Sequence, residues 1–317
     1  HYNNQYDLIF SFLRQFLSNG DFRWFELGRD LSRHVMDIDI YRTEGDRSEY
    51  NNGLFWHTQH FKPAATATHR CFSAKHRGGP GYGGGPSSQH CYAGGLLHYY
   101  YLTGDEDAKQ SVRLMAQTII KTLTGSYGLV EILENQARDF VKFVKRSSKR
   151  PSNKKAYSMD GPGRGSGNSL HVLLDLYLLD QDKKILLLAE QLTRQCVRTD
   201  DDHAAMDLLN AEFKWSYTIF LQALARYLDI KAEYDAIDDS WHYAKETLLQ
   251  YARWMLHNEY PFLDKPELLD APNYATRSAQ DLRKSVVLLE AAPHADTSEA
   301  EKLKTAAKQF LSRTRDD

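Results

Sequence analysis

Five of the thirteen histidines fall between residues 57 and 90, at His57, His60, His69, His76 and His90. Around them stand Tyr50, Asn51, Asn52, Trp56, Arg70 and Tyr92. A stretch so loaded with ring nitrogens, amides and phenols is read as a site and not as a spacer. These residue types match one reaction, β-elimination from a uronate. That reaction needs a cation or amide to neutralise a carboxylate, a His or Tyr to take the C5 proton, and an acid for the leaving oxygen. His57 or His90 then serves as base, Tyr50 or Tyr92 as acid, and Arg164 or Asn51 as neutraliser. His171 completes the catalytic set. Asn51, Asn52, Trp56, His60, His69, Arg70, Asp207, Glu212, Trp215, Asn273 and Asp281 are the candidates for holding substrate.

Three other chemistries use the same inventory. Paired carboxylates drawn from Asp37, Asp39, Asp160, Asp207, Glu212 and Asp281 suit glycoside hydrolysis. A divalent metal near Asp37, Asp39, His57 and His60 is the alternative to a reaction without cofactor, which is the expectation. No HExxH and no CxxC pair supports a metal. A non-catalytic module would bind a glycan or a protein partner through Trp56 or Trp215. No GxSxG elbow supports a nucleophilic serine. The run Gly161–Gly167, GPGRGSG, lacks the GK[ST] ending of a phosphate loop. It reads as a glycine-rich turn in which Arg164 either grips a carboxylate in two places or pairs with an internal acid.

The elements that must carry these groups are helices. Leu8, Phe12, Phe16 and Leu17 fall at helical spacing, as do Trp24, Leu27, Leu31 and His34 after the Asn19-Gly20 break, with Asp21 as cap. An irregular segment follows from about residue 41 to 89, holding at most a few short strands. The chain beyond it predicts helices over 90–103, 106–123, 168–179, 183–197, 212–228, 239–258, 275–292 and 298–313. They fall in pairs, the first rich in apolar and aromatic residues on most faces, the second amphipathic. Tyr99–Ala108 and Leu176–Ile185 are the clearest echo of one helix-turn-helix joint, and Arg226–Asp235 is a weaker copy. The unusual residues gather in the loops leading into the first helix of each pair, around His90, Arg164, Asp207–Trp215 and Asp270–Asp281.

Composition sets the outer limits. The chain has 317 residues, 42% apolar and 26% charged, with a formal charge of −2. That supports a sizeable core and excludes disordered and collagen-like classes. The charge balance gives no general pull toward nucleic acid. The one basic run, residues 142–155, reads as a solvated linker. No apolar run approaches the ~20 residues that span a bilayer. Three cysteines give no disulfide framework. The opening residue, His1, leads us to expect a processed or trimmed product. Compartment and oligomeric state are left open, although a periplasmic or secreted setting suits the substrate.

The paired-helix pattern, with YYLTGDEDA at Tyr100–Ala108, resembles the (α/α) toroid carbohydrate-active enzymes: six-hairpin glycosidases and the toroid domains of polysaccharide lyases. Tyr50, Asn51, Asn52 and His57 are similar to the Asn/His/Tyr sets of toroid lyases. The resemblance is architectural and covers residues 90–315; with it the whole chain, 1–317, reads as a single mostly α domain. It would comprise N-terminal helices (1–40), a functional loop (41–89) and a toroid of helical hairpins (90–317). The resemblance also implies a polysaccharide as substrate.

Overall fold

A computed structural model describes residues 4, 6–40, 42, 51–54, 87–124, 161–270 and 274–316. Ten α-helices and no β-strands occur among the described residues. They are α1 (Leu8–Asn19), α2 (Phe22–His34), α3 (Gly94–Thr103), α4 (Glu106–Thr124), α5 (Arg164–Asp180), α6 (Lys183–Cys196), α7 (Tyr217–Glu233), α8 (Asp239–Asn258), α9 (Tyr274–Ala291) and α10 (Thr297–Asp316). The fold is therefore mostly helical, as expected. The short strands anticipated after residue 40 reduce, among the described residues, to one bridge between Ile40 and Leu54.

The chain forms two compact units: His1–Ser158 with His171–Leu188, and Met159–Leu170 with Ala189–Asp317. In the first unit, α1 and α2 pack on each other and on α3. Asp21 caps α2 as predicted, accepting the Arg23 amide at 3.1 Å. A π-helical turn, Val35–Asp39, follows α2 directly. Helices α3 and α4 form a hairpin across Gly104, which adopts a left-handed φ of 73°. Only glycine enters that region without strain. Asp105 then accepts the amides of Asp107 and Ala108 at 3.0 and 3.1 Å, capping α4.

In the second unit, α7 is buried on nearly every face, with Tyr217, Phe220, Leu221, Leu224, Tyr227 and Leu228 all shielded from water. Each such side chain contributes about 1.5–3 kcal/mol of burial. Helices α8 and α9 pack on it and α10 packs on α9, with Leu248, Tyr251, Val287, Leu288 and Leu303 all buried. Asp238 caps α8 through the Trp241 amide at 3.0 Å. Helix α10 is capped by Asp296, which accepts the Glu299 amide at 2.9 Å, and not by Thr297 or Ser298, the two caps its sequence offers. Helix α5 starts at Arg164, four residues earlier than its apolar pattern suggests. The reason is Ser166, whose hydroxyl bonds Gly161 and Gly163 carbonyls and takes the Gly163 amide, so the glycine turn joins the helix.

Candidate functional site

Within the second unit, the turns leading into α5, α7 and α9 meet. Segment 207–216 is a series of turns, not the helix start expected at Glu212. Asn210 holds it by accepting the amides of Glu212 and Phe213, each at 3.2 Å. Ala211, Trp215, Ile219 and Phe262 form a buried cluster beside Leu269. The Arg164 guanidinium sits 5.1 Å from the Trp215 ring, a cation over an indole face. Glu212 accepts from Arg277 Nη2 and, at 3.0 Å, from the Asp270 amide. The Arg277 guanidinium beside it holds its carboxyl below the usual glutamate range. Arg277 also donates to the Ala211 carbonyl at 2.9 Å, so the two guanidiniums flank segment 211–215.

Arg277 begins a polar stripe down the buried side of α9: Arg277, Gln280, Asp281 and Lys284. Lys284 Nζ lies 2.9 Å from Glu259 Oε2 and 2.8 Å from Asp281 Oδ1, and donates to the Tyr260 carbonyl at 2.7 Å. Its ammonium also sits 3.3 Å from the Phe262 ring centre. Asp281 takes the Phe262 amide at 2.9 Å, and Glu259 takes the Tyr217 hydroxyl at 2.6 Å. Two carboxylates thus share one ammonium with almost no solvent. Burial pushes the Asp281 carboxyl up, opposed by Lys284, and burial with the nearby Glu259 pushes the Tyr217 hydroxyl well up. The effect is to clamp segment 259–270 onto α9, which in turn brings the Asp270 amide to Glu212. Breaking such a buried set by removing one partner costs about 3–5 kcal/mol.

Further along the same unit, the His203 ring lies edge-on to Tyr251 at 4.2 Å and 6.0 Å from Trp254. The Tyr251 hydroxyl donates to Asp201 at 2.9 Å. Burial pulls His203 below the usual imidazole range.

The first unit holds a second polar focus. Tyr6 and Asp7 both have φ 57°, a left-handed turn that is strained for these residues. It delivers the Asp7 carboxylate to the Gly95 amide at 2.9 Å and the Phe10 amide at 3.3 Å. Asp175 lies on the other side of Gly94: a Cβ there would be 3.2 Å from Asp7 Oδ2 and 3.6 Å from Asp175 Oδ2. Burial, with Asp175 adding repulsion, pushes the Asp7 carboxyl up.

The sequence-based candidates separate as follows. Arg164, Glu212 and Trp215 come together at the second unit's helix starts, whereas Asp281 lies two turns into α9, paired with Lys284 and the Phe262 amide. Asp207 stands on the same segment, exposed, with φ 55°, and accepts from Asn210 at 3.0 Å, shaping the turn. His90 and Tyr92 form an edge-to-face pair at 6.1 Å in the first unit. Asn51 and Asn52 occupy a turn there, where the Asn51 carbonyl accepts from Thr118 at 3.0 Å. His171 is half-buried on α5. Tyr50, Trp56, His57, His60, His69, Arg70, Asp160 and Asn273 lie outside the described residues. Of the metal candidates, Asp37 is exposed, while Asp39 is buried with His34 Nε2 3.5 Å away. Among the described residues no three His, Cys, Asp or Glu side chains gather as a metal site.

Sequence reasoning missed Arg277, Lys284, Glu259, Asp7 and Asp175. For the first two a signal existed. Arg277, Asp281 and Lys284 recur at i, i+4, i+7, then run into Val287, Leu288 and Ala291 on one line of the helix. Charges that continue an apolar stripe are charges in the core. Comparison with protein families, with curated proteins and with solved structures found no match. No helix among the described residues is long and apolar enough to cross a membrane.

Proposed function

We propose that this chain is a carbohydrate-active enzyme of the (α/α) toroid kind, cleaving a uronate-containing polysaccharide by β-elimination. The observation that carries the reading is the meeting of the α5, α7 and α9 lead-in turns, which sets Arg164, Trp215, Glu212 and Arg277 around one short segment. Two guanidiniums flanking segment 211–215, one of them over the Trp215 indole, suit an acidic sugar, whose carboxylate needs neutralising before its C5 proton can leave. The reaction also needs a base and an acid, for which the sequence offers His57 or His90 and Tyr50 or Tyr92; none of these four belongs to the second unit, so their part in the reaction rests on the sequence alone. His171 lies on the helix that Arg164 begins. No cofactor enters this scheme. The partner is a polysaccharide, and the near-neutral charge balance argues against nucleic acid.

Incubation with uronate polymers is the test. Elimination creates a C4–C5 double bond conjugated to the carboxylate, so the unsaturated-uronate absorbance band should rise with time. Oligomers appearing without that band would overturn β-elimination.

That outcome would favour a second reading, glycoside hydrolysis, for which one observation speaks. Glu212 is held ionised by Arg277 while burial raises Asp281, and carboxyls with opposed environments divide naturally into base and acid. We place it second because Asp281 is enclosed by Lys284 and the Phe262 amide, out of reach of a sugar oxygen.

A further inference from the structure

Arg277 is the fourth residue of α9, and its side chain is only 6% exposed. Nη1 donates to the Ala211 carbonyl and to Gln280 Oε1, at 2.9 and 3.1 Å. Nη2 donates to Glu212 Oε1. Nε is buried and has no partner. A guanidinium grips a carboxylate through two parallel N–H groups on one edge. Glu212 uses one of them, because the same Oε1 is also held by the Asp270 amide. The fork is therefore half filled, and a buried donor without an acceptor is costly. The side on which Glu212 stands is the open one. Its side chain is 24% exposed, and Asp270, whose amide it accepts, is exposed, as are Ala275 and Thr276 just before Arg277 on α9. The first turn of an 18-residue helix adds a positive field at the same place.

We propose that the Nε/Nη2 edge of Arg277 is a carboxylate-binding subsite, with Glu212 as its internal stand-in. A uronate carboxylate enters from the exposed side and takes both donors. Glu212 swings out toward solvent. This rests on the uronate reading above and names the residue that would hold the acid group.

The test uses the full chain with glucuronate and glucose as probes, titrated by calorimetry and by NMR of the arginine Nε–H signals. In the wild-type chain, glucuronate should shift the Arg277 Nε–H signal and glucose should not. Glu212→Gln removes the internal competitor and should tighten glucuronate by about tenfold. Arg277→Lys keeps the charge but loses the paired donors, and should weaken glucuronate by about tenfold. A Glu212→Gln chain that binds glucuronate no better than wild type, or an Arg277 signal that ignores glucuronate, overturns the subsite. The two proposals fail separately. Polymer cleavage with the absorbance band but no tightening in Glu212→Gln removes the subsite and leaves the lyase. Tightening without cleavage removes the lyase and leaves the subsite.

Discussion

At the scale of single residues, the molecule keeps several carboxyls in surroundings that favour the proton. Glu290 is the clearest: burial, with Asp229 adding repulsion, pushes it up to about 8. A carboxyl raised on folding binds its proton more tightly in the folded chain. Its contribution to stability is complete below the ordinary glutamate range and is lost as pH climbs through about 8. Thermal melts should therefore fall in midpoint between pH 5 and pH 8.5, and Glu290→Gln should flatten that slope while raising the midpoint at the alkaline end. An unchanged slope would mean that Glu290 meets water freely. Lys284 is the opposite case, a cation wedged between two buried acids. Lys284→Met leaves Glu259 and Asp281 facing each other and should destabilise the chain by about 3–5 kcal/mol, read as a shift in a urea unfolding curve. The same buried charges explain what the sequence concealed. Lysine and arginine at helical spacing read as a solvent face, and only their alignment with Val287 and Leu288 betrays that they point inward.

At the scale of elements, periodicity located all the helix pairs, because 3.6-residue spacing of apolar side chains is what burial on one side of a helix requires. Helix α8 falls on its expected residues, 239–258, and α6 and α9 lie within a residue of theirs. The departures sit at the lead-in turns and at two far ends, where α7 runs on from 228 to Glu233 and α10 from 313 to Asp316. Residues 212–216 form turns because Asn210 captures two amides that a helix would otherwise use, a local side-chain bond competing with the helix. Helix α5 starts early because Ser166 ties the glycine turn to it. Arg164, Glu212 and Trp215 stood out in the sequence as candidates for that reason: polar types crowd where helices begin, while Asp281, two turns into α9, turned out to serve the buried Lys284 cluster. Close approach between elements was not legible. Gly167 lets α5 meet α7 so tightly that a Cβ there would lie 2.8 Å from the Phe220 backbone nitrogen. Backbone cannot yield as a side-chain tip can. Gly167→Ala should destabilise by about 1–3 kcal/mol even though alanine is the better helix former, visible as a lower unfolding midpoint. A neutral or stabilising result would contradict the packing described for these two helices.

For the whole molecule, the helical class follows from the repeated hairpins, and the two compact units each carry a polar focus where buried helices begin. In the first, a strained turn brings Asp7 to the Gly95 amide of α3, near Asp175. In the second, Arg164 and Arg277 flank the segment that holds Glu212 and Trp215. The near-zero net charge gives no long-range field to gather an acidic ligand, so the function we propose would rest on those few fixed guanidiniums. The claim that this second focus receives an acidic sugar can be read at Trp215, whose ring lies under Arg164. We would titrate glucuronate into the labelled chain and follow the five indole N–H signals, assigning Trp215 from the signal missing in Trp215→Phe. The account predicts that the Trp215 signal moves with glucuronate and stays still with glucose. A Trp215 signal that ignores glucuronate, or that answers both sugars alike, would contradict it.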